Sequence, residues 1–291
     1  MRTGRILVVD DVPLNVDILV ELLDEYDISV ALDGKSALDI MSQEPIDLVL
    51  LDIRMPEMDG FEVCREIKKI EGKRDVPILF ITAESDESSI IRGFEEGGVD
   101  FVTKPFLPQE LRARVRTHLS LRENIKELEF LATRDSMTGA LNRRALFERG
   151  TKMLECANSE ASPFSAMMLD LDRFKNINDT LGHAIGDSVI KSFASVVCDH
   201  LDKSSLFGRV GGEEFVVFDN KGIDELVNIA KRIRERVEGI CEIDGLPINF
   251  TVSIGLSSKL DHDENNIDAI LKRADDMLYE AKKTRNRVVR G

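Results

Sequence analysis

No stretch of this 291-residue chain approaches the roughly 20 apolar residues that a helix needs to cross a bilayer. Nor is there a signal-peptide core, because Met1-Arg2-Thr3-Gly4-Arg5 leads straight into a strand pattern. A cytoplasmic protein without a membrane partner is expected. Positive charge is in deficit: the formal net charge is −15, whereas phosphate backbones are gripped by clustered Lys and Arg. With no recognisable helix-turn-helix either, a nucleic-acid partner is not expected. Cysteine is scarce and scattered. Cys64, Cys156, Cys198 and Cys241 have no Cys-x-x-Cys spacing, which argues against a zinc site or a disulfide framework and leaves core or near-surface thiols. The chain also lacks Gly-x-x-x-x-Gly-Lys-Ser/Thr and Gly-x-Gly-x-x-Gly. Any phosphate site must therefore be built from metal ions and basic side chains, not from a P-loop or a Rossmann turn.

What the chain has is length for two domains, each able to bury its own core. From residue 6 to residue 120, short apolar runs alternate with stretches of helical periodicity. Ile6–Val9, Leu48–Leu51 and Pro77–Thr82 read as strands buried on both faces, which favours a parallel sheet wrapped by helices. Ligands of such sheets sit outside the carboxyl ends of the strands. That is where the sequence places Asp10 and Asp11, after the first strand, and Asp52, after the third. Clustered carboxylates repel, and Mg2+ is the natural cation to hold them. Thr82 ends the fourth strand, and Lys104-Pro105 follows the fifth, Phe101–Thr103. A lysine and a hydroxyl facing a metal-bound aspartate make a phosphoryl-binding site. Taken singly, each aspartate could equally cap a helix, and Lys104 could be a solvated charge.

The set Asp10-Asp11, Asp52, Thr82 and Lys104-Pro105 closely resembles the receiver domain of two-component response regulators, over the whole of residues 5–120. The resemblance implies a doubly wound (βα)5 fold in which Asp52 accepts a phosphoryl group from a histidine kinase. Asp10 and Asp11, with Asp52, would hold Mg2+; Lys104 would pair with the phosphate; Thr82 and Phe101 would couple it to the fourth helix and fifth strand. A cis peptide at Lys104-Pro105 is also expected, X-Pro bonds being where cis forms occur.

Residues 107–133 carry Leu107, Leu111, Val115, Leu119, Leu121, Ile125, Leu128 and Ala132 at helical steps through a charged background, with no Pro or Gly between Pro108 and Gly139. The spacing predicts one long helix, either a dimeric coiled-coil stalk whose seam His118 and Arg122 interrupt, or a helix that packs on its own domain.

In the second half, Arg209–Phe215 (Arg-Val-Gly-Gly-Glu-Glu-Phe) lies between apolar runs and reads as strand, Gly-Gly turn, strand. Glycine lets a backbone approach a ligand closely, and a carboxylate beside it can hold a hard cation. Another strand, Phe164–Asp172, ends Met-Leu-Asp-Leu-Asp, with Asp170 and Asp172 on one face by period two. Asp172 reads as a cap for the helix that follows, and His183 as structural, with nothing at ligand spacing beside it.

Arg209–Phe215, the opening motif Asp135–Arg144 and the run Arg173–Asp187 resemble the GGDEF family, the diguanylate cyclases, in its Gly-Gly-Glu-Glu-Phe form. The resemblance implies a domain over 134–291 of nucleotidyl-cyclase type with a mixed, mainly antiparallel sheet, following a receiver over 1–120 and a stalk over 107–133. It implies that Asp170, the Leu171 carbonyl and Glu213 bind Mg2+ at the phosphates of GTP. Glu213, Glu214 and Lys175 would serve the reaction, and Asn178 and Asp187 would read guanine. Lys282 and Arg285 would meet phosphate, from a basic segment one residue shorter than the common form and without its glycine. Where many relatives carry an Arg-x-x-Asp product-inhibition motif, this chain has Asp202-Lys-Ser-Ser205, so no such site is expected. The implied activity is condensation of two GTP into cyclic di-GMP by a homodimer under phosphorylation control. The rival is a catalytically silent GTP-binding or scaffolding response regulator.

Overall fold

The computed structural model describes residues 4–83, 87–260 and 266–291, which fall into two compact units, Met1–Leu128 and Glu129–Gly291. The first alternates β1 (Arg5–Val9), α1 (Pro13–Leu22), β2 (Asp27–Ala31), α2 (Gly34–Gln43), β3 (Leu48–Asp52), α3 (Gly60–Lys69), β4 (Ile78–Thr82), α4 (Glu87–Glu95) and β5 (Asp100–Thr103), and runs into α5 (Pro108–Thr133). Its sheet has the order β2-β1-β3-β4-β5, every neighbouring pair parallel. β3 and β4 are buried at every position, as strands covered on both faces must be. Alternate residues feed two cores: Leu7, Val9, Leu51 and Phe80 pack with Phe61 and Ile67 of α3, whereas Ile6, Val8, Leu50 and Ile81 pack with Leu19 of α1 and Leu111 and Val115 of α5. The Asp59 and Glu62 side chains start α3 with a reciprocal capping box. The strand order reverses between β1 and β3, so a crevice opens at their carboxyl ends.

α5 is the long helix that the periodicity predicts, and its faces change use along its length. Leu111 and Val115 are buried in the first unit and Leu119 packs beside them. Arg122 donates to the Ile46 carbonyl at 2.9 Å, Lys126 meets Asp47 at 3.0 Å, and His118 meets Asp100 at 3.1 Å. The expected interruptions of a seam are thus anchors onto the helix's own unit. Leu121, Ile125 and Leu128 are exposed.

The second unit contains β6 (Leu141–Asn142), α6 (Arg143–Ser159), β7 (Ser165–Leu171), α7 (Phe174–Leu181), α8 (His183–His200), β8 (Leu206–Gly211), β9 (Glu214–Asp219), α9 (Ile223–Glu238), β10 (Glu242–Ile243), β11 (Leu246–Pro247), β12 (Val252–Ser258), α10 (Ile267–Thr284) and β13 (Val288–Arg290). The main sheet runs β13-β12-β7-β9-β8-β6, antiparallel at its centre and parallel only at β12-β13 and β6-β8. Leu169, Leu171 and Phe215 face Phe193 of α8 and Ile233 of α9; Ala166, Val216 and Phe218 face Leu154 of α6 and Ile270 of α10. The central strand β7 therefore carries its last residues out of a sheet held rigid on both sides. All four cysteines are free thiols, Cys64 buried and the others exposed. Among the described residues no helix is long and apolar enough to cross a membrane.

Two candidate functional sites

The first site lies at the crevice between β1 and β3. Asp10, Asp11 and Asp52 bring carboxylate oxygens within 4.8 Å of one another. Asp10 is fully buried and held by the Val12 amide at 2.9 Å and the Asn15 side chain at 3.0 Å. Lys104 reaches both Asp10, at 2.8 Å, and Asp52, at 2.6 Å. The Lys104-Pro105 bond is cis, and the Lys104 amide donates to the Thr82 carbonyl at 2.8 Å. Burial raises the Asp52 pKa, Lys104 opposing the rise and Asp10 adding to it, while Lys104, despite burial, is raised by Asp10 and Asp52. Phe101 lies buried between the Phe80 and Phe94 rings, at 5.6 and 5.2 Å between centroids. Thr82, buried, closes β4 one register step from Asp52, which pairs with Ile81.

The second site forms where β7, the β8–β9 hairpin and α10 meet. The turn is Gly212-Glu213, one residue later than the predicted Gly-Gly turn, because a bulge at Arg209/Gly211 leaves Gly211 in the strand. Gly212 has φ 48° and open space where a side chain would begin. The Glu213 carbonyl accepts from the Leu171 amide at 3.5 Å, which sets Glu213 beside the end of β7. Lys282 of α10 pairs with the Asp170 carboxylate and approaches the Leu171 carbonyl at 3.2 Å. Burial pushes Asp170 up to about 6 against the pull of Lys282, and the charges of Glu213 and Glu214 add to the rise. In the first site the clustered carboxylates, whose mutual repulsion a divalent cation relieves, fit Mg2+, and in the second the Asp170 carboxylate and Leu171 carbonyl offer hard oxygens on which an ammonium already draws.

Asn178 of α7 and Asp187 of α8 are joined through Gly186: a methyl there would collide with the Asn178 side-chain oxygen. Lys175 is exposed in the first turn of α7. Arg285 is exposed and lines a cavity of about 540 Å3 with Asp172, Arg173 and Asn176. Asp172 is not the helix cap expected of it, because Arg173, at φ 55°, occupies that position without a side-chain bond. Its carboxylate instead accepts from Thr251 and Ser253, at 2.7 and 2.8 Å. Two further residues escaped the sequence reading. Asn15, one turn into α1, orients Asp10. Arg209, inside the hairpin motif, turns back to Asp135 at 3.2 Å and to the Gly212 carbonyl at 2.9 Å, tying the hairpin to the domain's opening motif. At the expected product-inhibition position, Ser205 donates to Asp219 at 2.6 Å and Asp202 pairs with Lys221 at 2.6 Å.

Comparison with known proteins matches both units. The family described as "Diguanylate cyclase, GGDEF domain" matches residues 132–287, and "Response regulator receiver domain" matches residues 6–116. The response regulator PleD of Caulobacter vibrioides is 34% identical over 98% of this chain and 65% of its own length. Diguanylate cyclase DgcM of Escherichia coli is 40% identical over 56% of this chain and 40% of its own. This chain thus spans less than two thirds of either relative. The crystal structure of the coiled coil and GGDEF domain of DgcB from Caulobacter crescentus, in complex with c-di-GMP, superposes with a TM-score of 0.57 at 26% identity, over 63% of this chain and 98% of that one.

Proposed function

For a chain that belongs to the diguanylate cyclase GGDEF family and carries a response regulator receiver domain ahead of it, we propose a phosphorylation-regulated diguanylate cyclase. It condenses two GTP into cyclic di-GMP and two pyrophosphates, as a homodimer, in the cytoplasm where GTP is made. The observation that carries this reading is the convergence of Asp170, the Glu213 turn and Lys282 at one end of β7. A decayed scaffold has no need of a half-buried carboxylate paired with a lysine beside an acidic hairpin.

Asp170, the Leu171 carbonyl and Glu213 would hold Mg2+, with Glu214 alongside. Bound there, the cation lowers the pKa of the attacking 3′-hydroxyl and neutralises the leaving pyrophosphate. Asn178 and Asp187 offer the amide and carboxylate that guanine matches and adenine leaves unpaired. Lys175, Lys282 and Arg285 offset the charge of the triphosphate. There is one guanine-reading pair per chain, so each domain brings one GTP and the reaction waits on two domains meeting face to face. Exposed Leu121, Ile125 and Leu128 on α5 supply an apolar strip for pairing chains. In the receiver, Asp52 takes a phosphoryl group from a histidine kinase, Asp10 and Asp11 hold Mg2+ with it, Lys104 pairs with the phosphate, and Thr82 and Phe101 pass the change on.

The test is turnover of GTP, against ATP, with Mg2+. Asp170→Ala and Glu213→Ala are expected to reduce cyclic di-GMP formation by at least about 100-fold, the scale of losing one group that stabilises transition-state charge, without loss of fold. Beryllofluoride should raise the rate of the parent and leave Asp52→Asn unmoved. GTP binding without product in the parent chain would favour the scaffold instead.

A further inference from the structure

α10 leaves the second site through two successive residues at positive φ, Arg285 at 61° and Asn286 at 48°, neither of them glycine. That conformation is unfavourable for residues with a Cβ, and it persists where the surroundings over-determine it, which is most often at functional sites. Here the surroundings are specific. The Asn286 amide donates to Asp172 at 2.9 Å. The Asn286 side chain accepts from Arg234 at 3.1 Å and donates to Glu238 at 2.8 Å, both on α9. Asp172 is 5% exposed, and its two oxygens are fully used: one takes Thr251 and the Asn286 amide, the other takes Ser253 at 2.8 Å and faces Lys282 at 3.3 Å. A carboxylate has about four acceptor sites, and here three take hydrogen bonds while Lys282 faces the fourth. Asp170, two residues earlier on the same strand face, points instead to Lys282 and the acidic hairpin.

We propose that Asp172 is a positioning residue for the phosphate-binding cations. By accepting the Asn286 amide it holds the positive-φ turn that ends α10, and by facing Lys282 it aims that ammonium at the end of β7. Asn286 completes the clamp by fastening the same turn to α9. The shortened basic segment, without a glycine to make the turn, is thereby fixed by a carboxylate from the sheet. This role rests on the reading of Lys282 and Arg285 as groups that meet the triphosphate.

The experiment is calorimetry on the full chain with Mg2+, comparing a nonhydrolysable GTP analogue with GMP, which shares the guanine but not the terminal phosphates. Asp172→Asn places an amide donor against existing donors and should weaken the analogue by about tenfold, a modest change of binding free energy, while leaving GMP unchanged. Asn286→Ala keeps the amide donor but loses the α9 tether and puts alanine at positive φ. It should show the same selective loss even where Asp172→Asn folds poorly, and Asn286→Gly should recover part of it. Equal weakening of both ligands, or no weakening of either, overturns the positioning role. If the unsubstituted chain itself binds the analogue no better than GMP, the failure lies earlier, in the assignment of the phosphate-binding cations.

Discussion

At the scale of single residues, the legible part of both sites is the part whose chemistry sits in a contiguous motif. Asp10-Asp11, Arg209–Phe215 and Arg173–Asp187 announce themselves because several polar and glycine positions recur together at short spacing, although each carboxylate alone could equally cap a helix. What was illegible depends on partners far away in sequence. Asp172 meets Thr251 79 residues on and Asn286 114 residues on, so nothing local distinguishes it from a helix cap. Gly186 is another such residue: its need for glycine comes from Asn178 pressing on it across the α7–α8 corner. Gly186→Ala should therefore displace the Asn178 amide and leave the Asp170 end of β7 untouched. Preference for GTP over ATP is expected to fall by about tenfold or more, because a site built to hydrogen-bond one base loses that discrimination when a partner is mispositioned. Competition binding of the two nucleotides measures it, and unchanged preference would place the guanine contact elsewhere.

At the scale of elements, the strands were readable because β1, β3 and β4 each carry an unbroken run of four apolar residues, Ile6–Val9, Leu48–Leu51 and Ile78–Ile81, and are flanked by periodic helices. Helix α5 was readable in length, but not in the use of its faces. An apolar step of three or four fits equally a helix packed on its own unit and one that pairs with a second copy, and α5 does the first with Leu111, Val115 and Leu119. The change comes in the stretch where Arg122 and Lys126 fasten the helix to Ile46 and Asp47. Interleaved with those anchors, Leu121, Ile125 and Leu128 are 52, 45 and 65% exposed at steps of four and three, which puts them along one face. Replacing all three by Gln removes apolar surface from solvent without touching either core, so the chain should stay folded and its sedimentation should shift toward monomer. Turnover at fixed protein concentration should drop by about tenfold or more, since effective concentration is what pairing supplies. A variant that stays dimeric and fully active would remove α5 from the assembly.

At the scale of the whole chain, the proposed function would combine an input that adds charge at Asp52 with an output whose rate depends on a second copy, and the question is what would turn that output off. Where an Arg-x-x-Asp product-inhibition motif would stand, this chain has Asp202 and Ser205. The structure leaves little for an anionic dinucleotide to use: Asp202 is paired with Lys221, Ser205 donates to the buried Asp219, and Arg209 is committed to Asp135 and the Gly212 carbonyl. An added anion would also meet the exposed Asp202 carboxylate, a repulsion that Lys221 and solvent partly offset. Product should therefore accumulate without strong inhibition, and dephosphorylation of Asp52 becomes the step that stops synthesis. The expected outcome is a progress curve that stays linear as cyclic di-GMP rises while GTP remains in excess, and no tight calorimetric binding of cyclic di-GMP to the chain without GTP. Restoring the motif as Asp202→Arg with Ser205→Asp should introduce curvature that the parent lacks. Tight product binding in the parent, lost on substitution of Asp202 or Ser205, would overturn this and return control to the product.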